Sequence, residues 1–257
     1  MNTKFKNGIL EQGRDRLKKI IMDKGLSDRD IRVMAGTLTA QEAIGEPGRR
    51  DFPIIIGKER MIEADFAGFK GQAFTDSPAE FKGTLEGIIG LSLHSNRNRG
   101  IFVAAMNALL SYLGLTEWTV HCKDEDPEEC ARQISELMRQ RHAGAKVGLI
   151  GLNPAIAERL AEAFGAENVR ITDKNSDNKG RRRFGVEIWD AETDTERLVT
   201  SSDAVIFTGT TLVNDTFDTI YRLIEEQGKD YLVYGVTAAG VSSLFGLNRI
   251  CPCSRDS

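Results

Sequence analysis

The second half of the chain alternates short apolar runs with amphipathic segments. Four runs have the length of buried strands: 146–151, 168–173, 203–209 and 230–236. Two segments between them carry apolar residues at helical spacing: 153–165 and 212–228. Continuous apolar strands that alternate with amphipathic helices are typical of a parallel sheet covered on both faces. The pattern predicts a Rossmann-like α/β parallel-sheet domain at residues 124–257, with a linking helix at 124–145.

The first half begins with a helix and continues with strands that are rich in glycine. An amphipathic helix is predicted at 3–24 and a strongly apolar helix at 95–115. A strand, or a strand leading into a turn, is predicted at 31–40. Further strands are predicted in the two arms of 53–66 around a turn at Gly57-Lys58, at 69–75 and at 117–123. This order predicts an α+β domain over residues 1–123, before the Rossmann-like domain.

Composition limits the partners of the protein. The 257 residues carry a formal net charge of −4 with a pI near 5.6, which argues against a nucleic-acid partner. The longest apolar run, 101–115, is too short and interrupted to cross a bilayer, and the N-terminus lacks the apolar core of a signal peptide. Four cysteines are too few for a disulfide framework. We therefore expect a cytoplasmic protein with reduced thiols and no membrane partner, and a homo-oligomer is left open.

The first candidate site is the turn after the first strand of the predicted parallel sheet, because such sheets bind ligands beyond the carboxyl ends of their strands. Gly151 ends this strand, and Asn153 and Pro154 follow where a dinucleotide-binding fingerprint would have another glycine. Pro154 also lacks the N–H that a pyrophosphate cradle uses. A ligand smaller than a dinucleotide is favoured, and a simple strand-to-helix turn is an equally good interpretation.

The second candidate is Asp173, which ends the next predicted strand 22 residues after Gly151. An acid at this distance commonly accepts hydrogen bonds from ribose hydroxyls, although a solvated aspartate fits the pattern equally well. The loop 174–185 follows, with Lys174, Lys179 and the run Arg181–Arg183. It is interpreted as a solvated loop, and an anion clamp over the ligand is the alternative.

The third candidate is a cluster of small polar residues after the strand 203–209. Its members are Thr208, Gly209, Thr210, Thr211, Asn214, Asp215 and Thr216. A helix cap needs only one residue of this kind. Neutral polar side chains at the carboxyl end of a parallel strand suit a hydroxylated or heterocyclic ligand, so this stretch is the leading candidate for the binding site.

Metal ligands are scarce by comparison. A closed zinc site needs four cysteine or histidine ligands, and Cys251 and Cys253 are the nearest candidates. His121 and Cys122 are adjacent on a predicted strand and should point to opposite faces. The residues therefore favour an organic chelator as the binder of any metal, with this protein acting on that molecule.

Three segments of the second half resemble the DUF364 family, whose label refers to heavy-metal chelation. They are GLIGLNPAIAERLAEAF (148–164), TGTTLVNDT (208–216) and VYGVTAAGVSSLF (233–245). In the first half, FKGQAFT (69–75) and the helix around Asn107 resemble the DUF4213 domain that precedes DUF364 in that family. The resemblance covers about residues 10–252.

The resemblance implies an enolase N-terminal-like domain, then a Rossmann-like domain similar to methyltransferases, with a site in the cleft between them. It also implies condensation or hydrolysis of small molecules related to flavins, pterins or siderophores, in connection with metal handling. Carried to this chain, it implies ligand contacts from Gly151, Asn153, Pro154, Thr208, Gly209, Thr210, Thr211, Asn214, Thr216 and Asn107.

Three functions are compatible with the sequence. The leading hypothesis is a small-molecule enzyme in which Asp173 or Asp215 provides acid–base catalysis. The second is a non-catalytic carrier or sensor of a metal–chelator complex. The third is a methyltransferase-like protein that binds S-adenosylmethionine at the glycine turn and Asp173. The sequence identifies no cofactor, and no partner beyond a small-molecule ligand.

Overall fold

The computed structural model describes residues 7–35 and 38–256. Residues 3–6 of the predicted first helix and residues 36–37 of the predicted strand 31–40 lie outside these ranges. Among the described residues, no helix combines the length and the apolar character that crossing a membrane requires.

The first half of the chain forms an antiparallel sheet flanked by helices. Its elements are α1 (Ile9–Asp23), β1 (Asp30–Ala35), α2 (Ala40–Ile44), β2 (Arg60–Phe66), β3 (Phe69–Thr75), β4 (Phe81–Thr84), α3 (Leu85–Ile89) and α4 (Asn96–Tyr112). The strands lie in the order β3-β2-β1-β4, and neighbouring strands run antiparallel.

The second half forms a seven-stranded, mainly parallel sheet with helices between its strands. Its elements are α5 (Asp126–Arg141), β5 (Val147–Ile150), α6 (Pro154–Phe164), β6 (Val169–Asp173), β7 (Arg182–Arg183), β8 (Val186–Asp190), α7 (Thr195–Ser201), β9 (Ala204–Thr208), α8 (Phe217–Glu226), β10 (Asp230–Tyr234), α9 (Ala239–Phe245) and β11 (Arg249–Ile250).

The strand order of this sheet is β11-β10-β9-β5-β6-β8-β7, and all pairs are parallel except β7 with β8. The carboxyl ends of β5, β6, β9 and β10 therefore lie at one edge, together with the loops that follow them. The parallel sheet and the separate antiparallel sheet confirm the predicted mixed α/β class.

Helix α4 lies between the two halves and is buried from Arg99 to Leu110. Its close approach to β3 depends on Gly71, where a Cβ atom would lie 2.2 Å from Ala108 N and 2.4 Å from Ala104 O. The same hydrophobic cluster contains Phe66 of β2 and Phe207 of β9. One continuous core therefore joins the two sheets and fixes the cleft between them.

Four predicted elements of the chain are wrong in type or extent. Ala40, inside the predicted strand 31–40, is the first residue of α2. Residues 53–58 form turns in place of a strand, because the N–H groups of Ile55 and Ile56 both donate to Phe52 O. The segment 117–123 makes one isolated bridge, at Val120, and no strand among the described residues. The predicted helix 212–228 is shorter, since a 3₁₀ turn at Gly209–Leu212 precedes the start of α8.

Candidate functional site

A cavity of about 970 Å³ lies at the carboxyl edge of the parallel sheet. One wall comes from the ends of the parallel strands and includes Gly151, Asp173, Thr208 and Tyr234. The facing wall comes from the antiparallel half and the segment after α4, and includes Phe52, Ile54, Glu59, Phe74, Asp76 and His121. The volume is at the upper end of the range of small-molecule sites, about 300–1,000 Å³.

Most of the predicted site residues line this cavity. They are Gly151, Asn153, Pro154, Asp173, Thr208, Thr210, Thr211, Asn214, Asp215, Thr216 and Cys251. Asn107, Gly209 and Cys253 do not belong to its lining. Most of the predicted residues therefore lie at the edge of the sheet that holds this cavity, while the roles of individual residues depend on their contacts.

The turn after β5 uses its polar groups to hold its own shape. Gly151 has a φ of 87°, and a Cβ atom there would lie 2.7 Å from the Thr208 methyl carbon. The side chain of Asn153 caps α6 by accepting the N–H of Ile156 at 3.1 Å. Pro154 is the first residue of α6 and has no N–H to offer. This turn leaves few free donors for a phosphate group.

Asp173 is an anchor for two loops. Its Oδ2 accepts the N–H of Leu152 at 2.8 Å, and its Oδ1 accepts the N–H of Asn175 at 2.9 Å and the Asn178 amide at 3.0 Å. Three donors on one carboxylate hold it in place. The position of the Asp173 carboxylate is therefore a fixed feature of the cavity wall.

The threonine-rich stretch is largely a self-contained capping network. Thr208 Oγ1 accepts the N–H of Thr210 at 3.2 Å and caps the 3₁₀ turn, and the Thr211 hydroxyl donates to Thr208 O at 2.7 Å. The Thr216 hydroxyl donates to Asn214 Oδ1 at 2.6 Å. The Asn214 amide NH₂ has no partner within residues 7–35 and 38–256, so it is a donor that this stretch can offer to a ligand.

Two residues from the family resemblance have structural roles. Asn107 is fully buried, donates to Gln72 O at 2.9 Å and Val236 O at 3.1 Å, and accepts the N–H of Gly240 at 2.8 Å. It thereby joins β3 to the segments around α9. Gly209 allows a close approach of the backbone, because a Cβ atom there would lie 2.7 Å from Ala238 N.

Asp215 lies at the mouth of the cavity and has a positive φ of 66°. Its side chain is 71% exposed and pairs with Arg99 across 3.5 Å. Arg99 is itself fixed by the carbonyls of Val213 at 2.7 Å and Leu93 at 2.8 Å. This exposed ion pair is a poor environment for a proton-transfer group, because the carboxylate faces water and the Arg99 guanidinium and not the enclosed part of the cavity.

Glu59 lines the cavity, and the sequence does not identify it as a candidate. Burial, followed by the negative charges of Asp173 and Asp76, raises the pKa of its carboxyl to about 7, and His121 opposes this shift. The carboxyl has no hydrogen bond or ion pair within the described part of the chain. In the sequence, Glu59 stands in a charged stretch after Gly57 that resembles an exposed turn, and no local signal separates it from a solvated residue.

Tyr234 forms the floor of the cavity beside the glycine turn. Its hydroxyl donates to Gly151 O at 3.1 Å, and burial followed by the charge of Glu59 raises its pKa. The phenol is thus neutral and oriented by the backbone.

All four cysteines converge near one wall of the cavity, which Cys122, Cys130 and Cys251 line. A hydrogen bond with Cys122 raises the pKa of Cys130, and a hydrogen bond with Cys130 together with burial raises that of Cys251. Cys253 contacts Gln133 at 4.0 Å. No group of three or more His, Cys, Asp or Glu residues in the described ranges is arranged to hold a metal ion.

His121 and Cys122 both line the cavity, so the prediction that they point to opposite faces is wrong. The reason is that residues 121–123 are not part of a strand, and strand alternation does not apply to them.

The basic loop 174–185 contributes Lys174 and Arg183 to the cavity lining. Arg183 forms an ion pair with Asp51, and Lys179 pairs with Asp190 at 2.9 Å. The anion clamp, which is the alternative interpretation of this loop, would thus be partly neutralised by the protein itself.

Comparisons with known proteins agree with the fold. The family model of DUF364, described as "Putative heavy-metal chelation", matches residues 133–248. No match was found among the curated proteins.

Two solved structures of DUF364 proteins of unknown function are similar to this chain. The protein from Pyrococcus horikoshii is 15% identical with a TM-score of 0.52, over 94% of this chain and 85% of that one. The protein from Desulfitobacterium hafniense DCB-2 is 15% identical with a TM-score of 0.50, over 92% of this chain and 84% of that one. At 15% sequence identity, the similarity to these two structures shows a shared fold. Together with the family model, it identifies residues 133–248 as the segment of the chain that matches the DUF364 family.

Proposed function

We propose that this protein is a small-molecule enzyme that binds an organic ligand in the cavity and uses Glu59 for proton transfer. The observation that carries the proposal is the unpartnered Glu59 carboxyl, with a pKa of about 7, in the cavity wall. A group with this pKa is present in both protonation states near neutral pH, so it can donate or accept a proton. Strongly shifted carboxyls in clefts are typical of functional sites.

The cavity lining supports an organic ligand. Apolar side chains such as Phe52, Ile54 and Phe74 provide contact area, while the Asn214 amide provides a directional donor. This combination of apolar area and few oriented polar groups is typical of sites for drug-sized molecules. The proposed substrate class is a pterin-, flavin- or siderophore-like compound linked to heavy-metal chelation, and the proposed reaction is a condensation or hydrolysis. The family description supports the connection with chelation.

Glu59 replaces Asp173 and Asp215 as the acid–base candidate. Asp173 already accepts three hydrogen bonds, and Asp215 is exposed and paired with Arg99. The hydrogen bonds of Asp173 also weigh against a ribose contact there, so binding of S-adenosylmethionine is the less favoured alternative. We also propose that the antiparallel half is an enolase N-terminal-like DUF4213 domain, with the boundary near residue 123, and that the protein acts in the cytoplasm.

The test uses the purified full chain, an extract of small metabolites and the variant Glu59→Gln. Native mass spectrometry identifies the metabolite that the wild type retains, and metabolite masses are followed during incubation. We expect a mass change with the wild type, and at least about a hundredfold slower change with Glu59→Gln, which keeps the ligand. The variant Glu192→Gln, at the rim of the same cavity, is the control and should resemble the wild type.

Two results would overturn the proposal. Retention of a ligand whose mass never changes would show a carrier in place of an enzyme. Equal turnover by the wild type and Glu59→Gln would show that Glu59 is not the proton-transfer group.

A further inference from the structure

A hydrogen bond of the His121 ring defines which of its two nitrogens carries the proton. Its Nδ1 lies 2.6 Å from the carbonyl oxygen of Cys122. A carbonyl oxygen can only accept a hydrogen bond, so Nδ1 carries the proton. In a neutral ring, Nε2 is then the unprotonated nitrogen with a free lone pair.

The position of the ring is fixed from several sides. The backbone N–H of His121 donates to Gln72 Oε1 at 2.7 Å, and the Gln72 amide in turn donates to Glu63 at 2.7 Å. The ring of Phe74 meets the imidazole edge-on, with centroids 5.2 Å apart. A ring flip would break the bond to Cys122 O, so the tautomer is set by the fold.

The Nε2 atom has no hydrogen-bond partner in residues 7–35 and 38–256. The ring lines the cavity, as does Glu59, and the two side chains are close enough for their charges to interact. Burial lowers the pKa of His121, while the neighbouring Cys251, the hydrogen bond to Cys122 O and the charge of Glu59 oppose this shift. The ring is therefore neutral at pH 7 and can accept a proton or a hydrogen bond.

We propose that His121 Nε2 is the proton acceptor of the cavity and that Glu59 is its complementary proton donor. The attacking water, or the N–H or O–H group of a second reactant, then faces His121, and the leaving oxygen or nitrogen of the ligand faces Glu59. This inference rests on the proposed function, which it extends by a second residue and by the hydrogen-bonding character of the ligand.

The proton balance is closed. In hydrolysis, water loses one proton to Nε2, which becomes an imidazolium, while the water oxygen forms a bond to the ligand. The bond to the leaving oxygen or nitrogen breaks, and that atom takes the proton of the Glu59 carboxylic acid. In condensation, an N–H or O–H group of the second reactant takes the place of water. The resulting imidazolium and carboxylate have opposite charges and stabilise each other. Transfer of the proton from His121 back to Glu59, directly or through water, restores the starting state.

The first test is nitrogen NMR on full-length protein labelled with ¹⁵N-histidine. The signal of His121 is assigned by its loss in His121→Asn, among the three histidines of the chain. We expect the neutral tautomer with the proton on Nδ1 at pH 7. A proton on Nε2, or a fully charged ring at pH 7, would overturn the inference.

The second test compares two variants in the turnover assay described above. His121→Asn places an amide donor near Cys122 O but has no atom at the Nε2 position, whereas His121→Gln places its amide near Nε2. We expect His121→Asn to keep the thermal stability of the wild type and to lose at least about a hundredfold in turnover.

Diethyl pyrocarbonate, which acylates neutral imidazole nitrogens, should modify His121 in the wild type, and retained ligand should protect it.

The two proposals can fail separately. Unchanged turnover in His121→Asn, together with a large loss in Glu59→Gln, would remove His121 and leave the proposed function in place. If His121→Asn does not fold, the His121 signal is assigned by elimination with His94→Asn and His142→Asn. The tautomer in the wild type and the acylation of His121 then still decide the inference.

Discussion

The negative charge of Asp173 faces Glu59 in the cavity and raises the pKa of the Glu59 carboxyl. The same carboxylate holds the Leu152 N–H at 2.8 Å and two groups of the following loop. Asp173 therefore couples the shape of the turn after β5 to the protonation of a residue on the opposite wall. A residue that resembles a ribose ligand in the sequence thus has an electrostatic role in the folded chain.

Removal of this charge should lower the pKa of Glu59. We expect Asp173→Asn to cause a larger decrease than Asp76→Asn, since Asp173 makes the larger contribution. Carbon NMR titration of the Glu59 carboxyl, assigned with Glu59→Gln, measures both. Asp173→Asn should also cost about 1–3 kcal/mol of stability, because an amide cannot accept all three hydrogen bonds. An unchanged or higher pKa in Asp173→Asn would contradict this account.

The raised pKa of Glu59 predicts a specific dependence of stability on pH. The carboxyl loses its proton near its ordinary value of 4.5 in the unfolded chain and near 7 in the folded chain. The folded state therefore binds more protons between these values, and the contribution of Glu59 to the unfolding free energy falls as the pH rises through this window.

Glu59→Gln removes the fall in unfolding free energy that the deprotonation of Glu59 causes as the pH rises. Relative to the wild type, we expect the variant to gain about 2 kcal/mol between pH ~4.5 and pH ~8, a figure that allows for solvent in the cavity. Urea unfolding of both proteins at the two pH values measures the difference. The charged and titratable groups that face Glu59 are Asp173, Asp76, His121 and Tyr234, and they are unchanged in both proteins. Parallel pH profiles for the two proteins would refute the shift.

The sequence predicts the parallel half of the fold well because its signals are local. The strands at Val147–Ile150 and Ala204–Thr208 are continuous apolar runs, and Asn153 and Pro154 mark a helix start. The edge of the sheet that holds the cavity follows from this order alone. The helix predicted from residue 212 fails because Thr208 caps a 3₁₀ turn, and a cluster of threonines does not reveal which of them is the cap.

The facing wall of the cavity could not be predicted in the same way. Glu59 and His121 lie in irregular segments, far from each other and from Asp173 in the sequence. Their chemistry depends on burial and on neighbours supplied by the tertiary fold, and neither leaves a periodic pattern in the chain. Cys122 and Cys251 are likewise brought together by the tertiary fold. Both line this cavity, although they lie more than a hundred residues apart in the sequence.

Gly71 should be essential for the packing of α4 on β3. In Gly71→Ala the new Cβ would meet the backbone of Ala108 and Ala104, which cannot move without shifting the helix. We expect a loss of about 3 kcal/mol or more in urea unfolding. Gly90→Ala is the matched control, because its Cβ would lie 3.5 Å from Glu86 O at a φ of −77°, and it should change stability by less than about 1 kcal/mol. Similar losses in both variants would show that the close approach is not the cause.

The family resemblance assigns two asparagines, Asn107 and Asn214, to the ligand. Stability measurements should show that their roles differ. Asn107 makes three buried hydrogen bonds to backbone atoms of Gln72, Val236 and Gly240, so Asn107→Ala should cost about 3 kcal/mol or more in urea unfolding. Asn214 accepts one bond from Thr216 and offers its amide to the cavity, so Asn214→Ala should cost less than about 1 kcal/mol.

Retention of the ligand that co-purifies, measured by native mass spectrometry, should show the reverse order. Asn214→Ala should weaken retention by about tenfold, because the ligand loses one directional donor, a loss of about 1.4 kcal/mol. Asn107→Asp, which keeps the acceptor for Gly240 and loses the donors, should lose stability like Asn107→Ala. If Asn214→Ala destabilises the chain and Asn107→Ala only weakens binding, the two residues have exchanged roles, and the cavity would have to extend to α4.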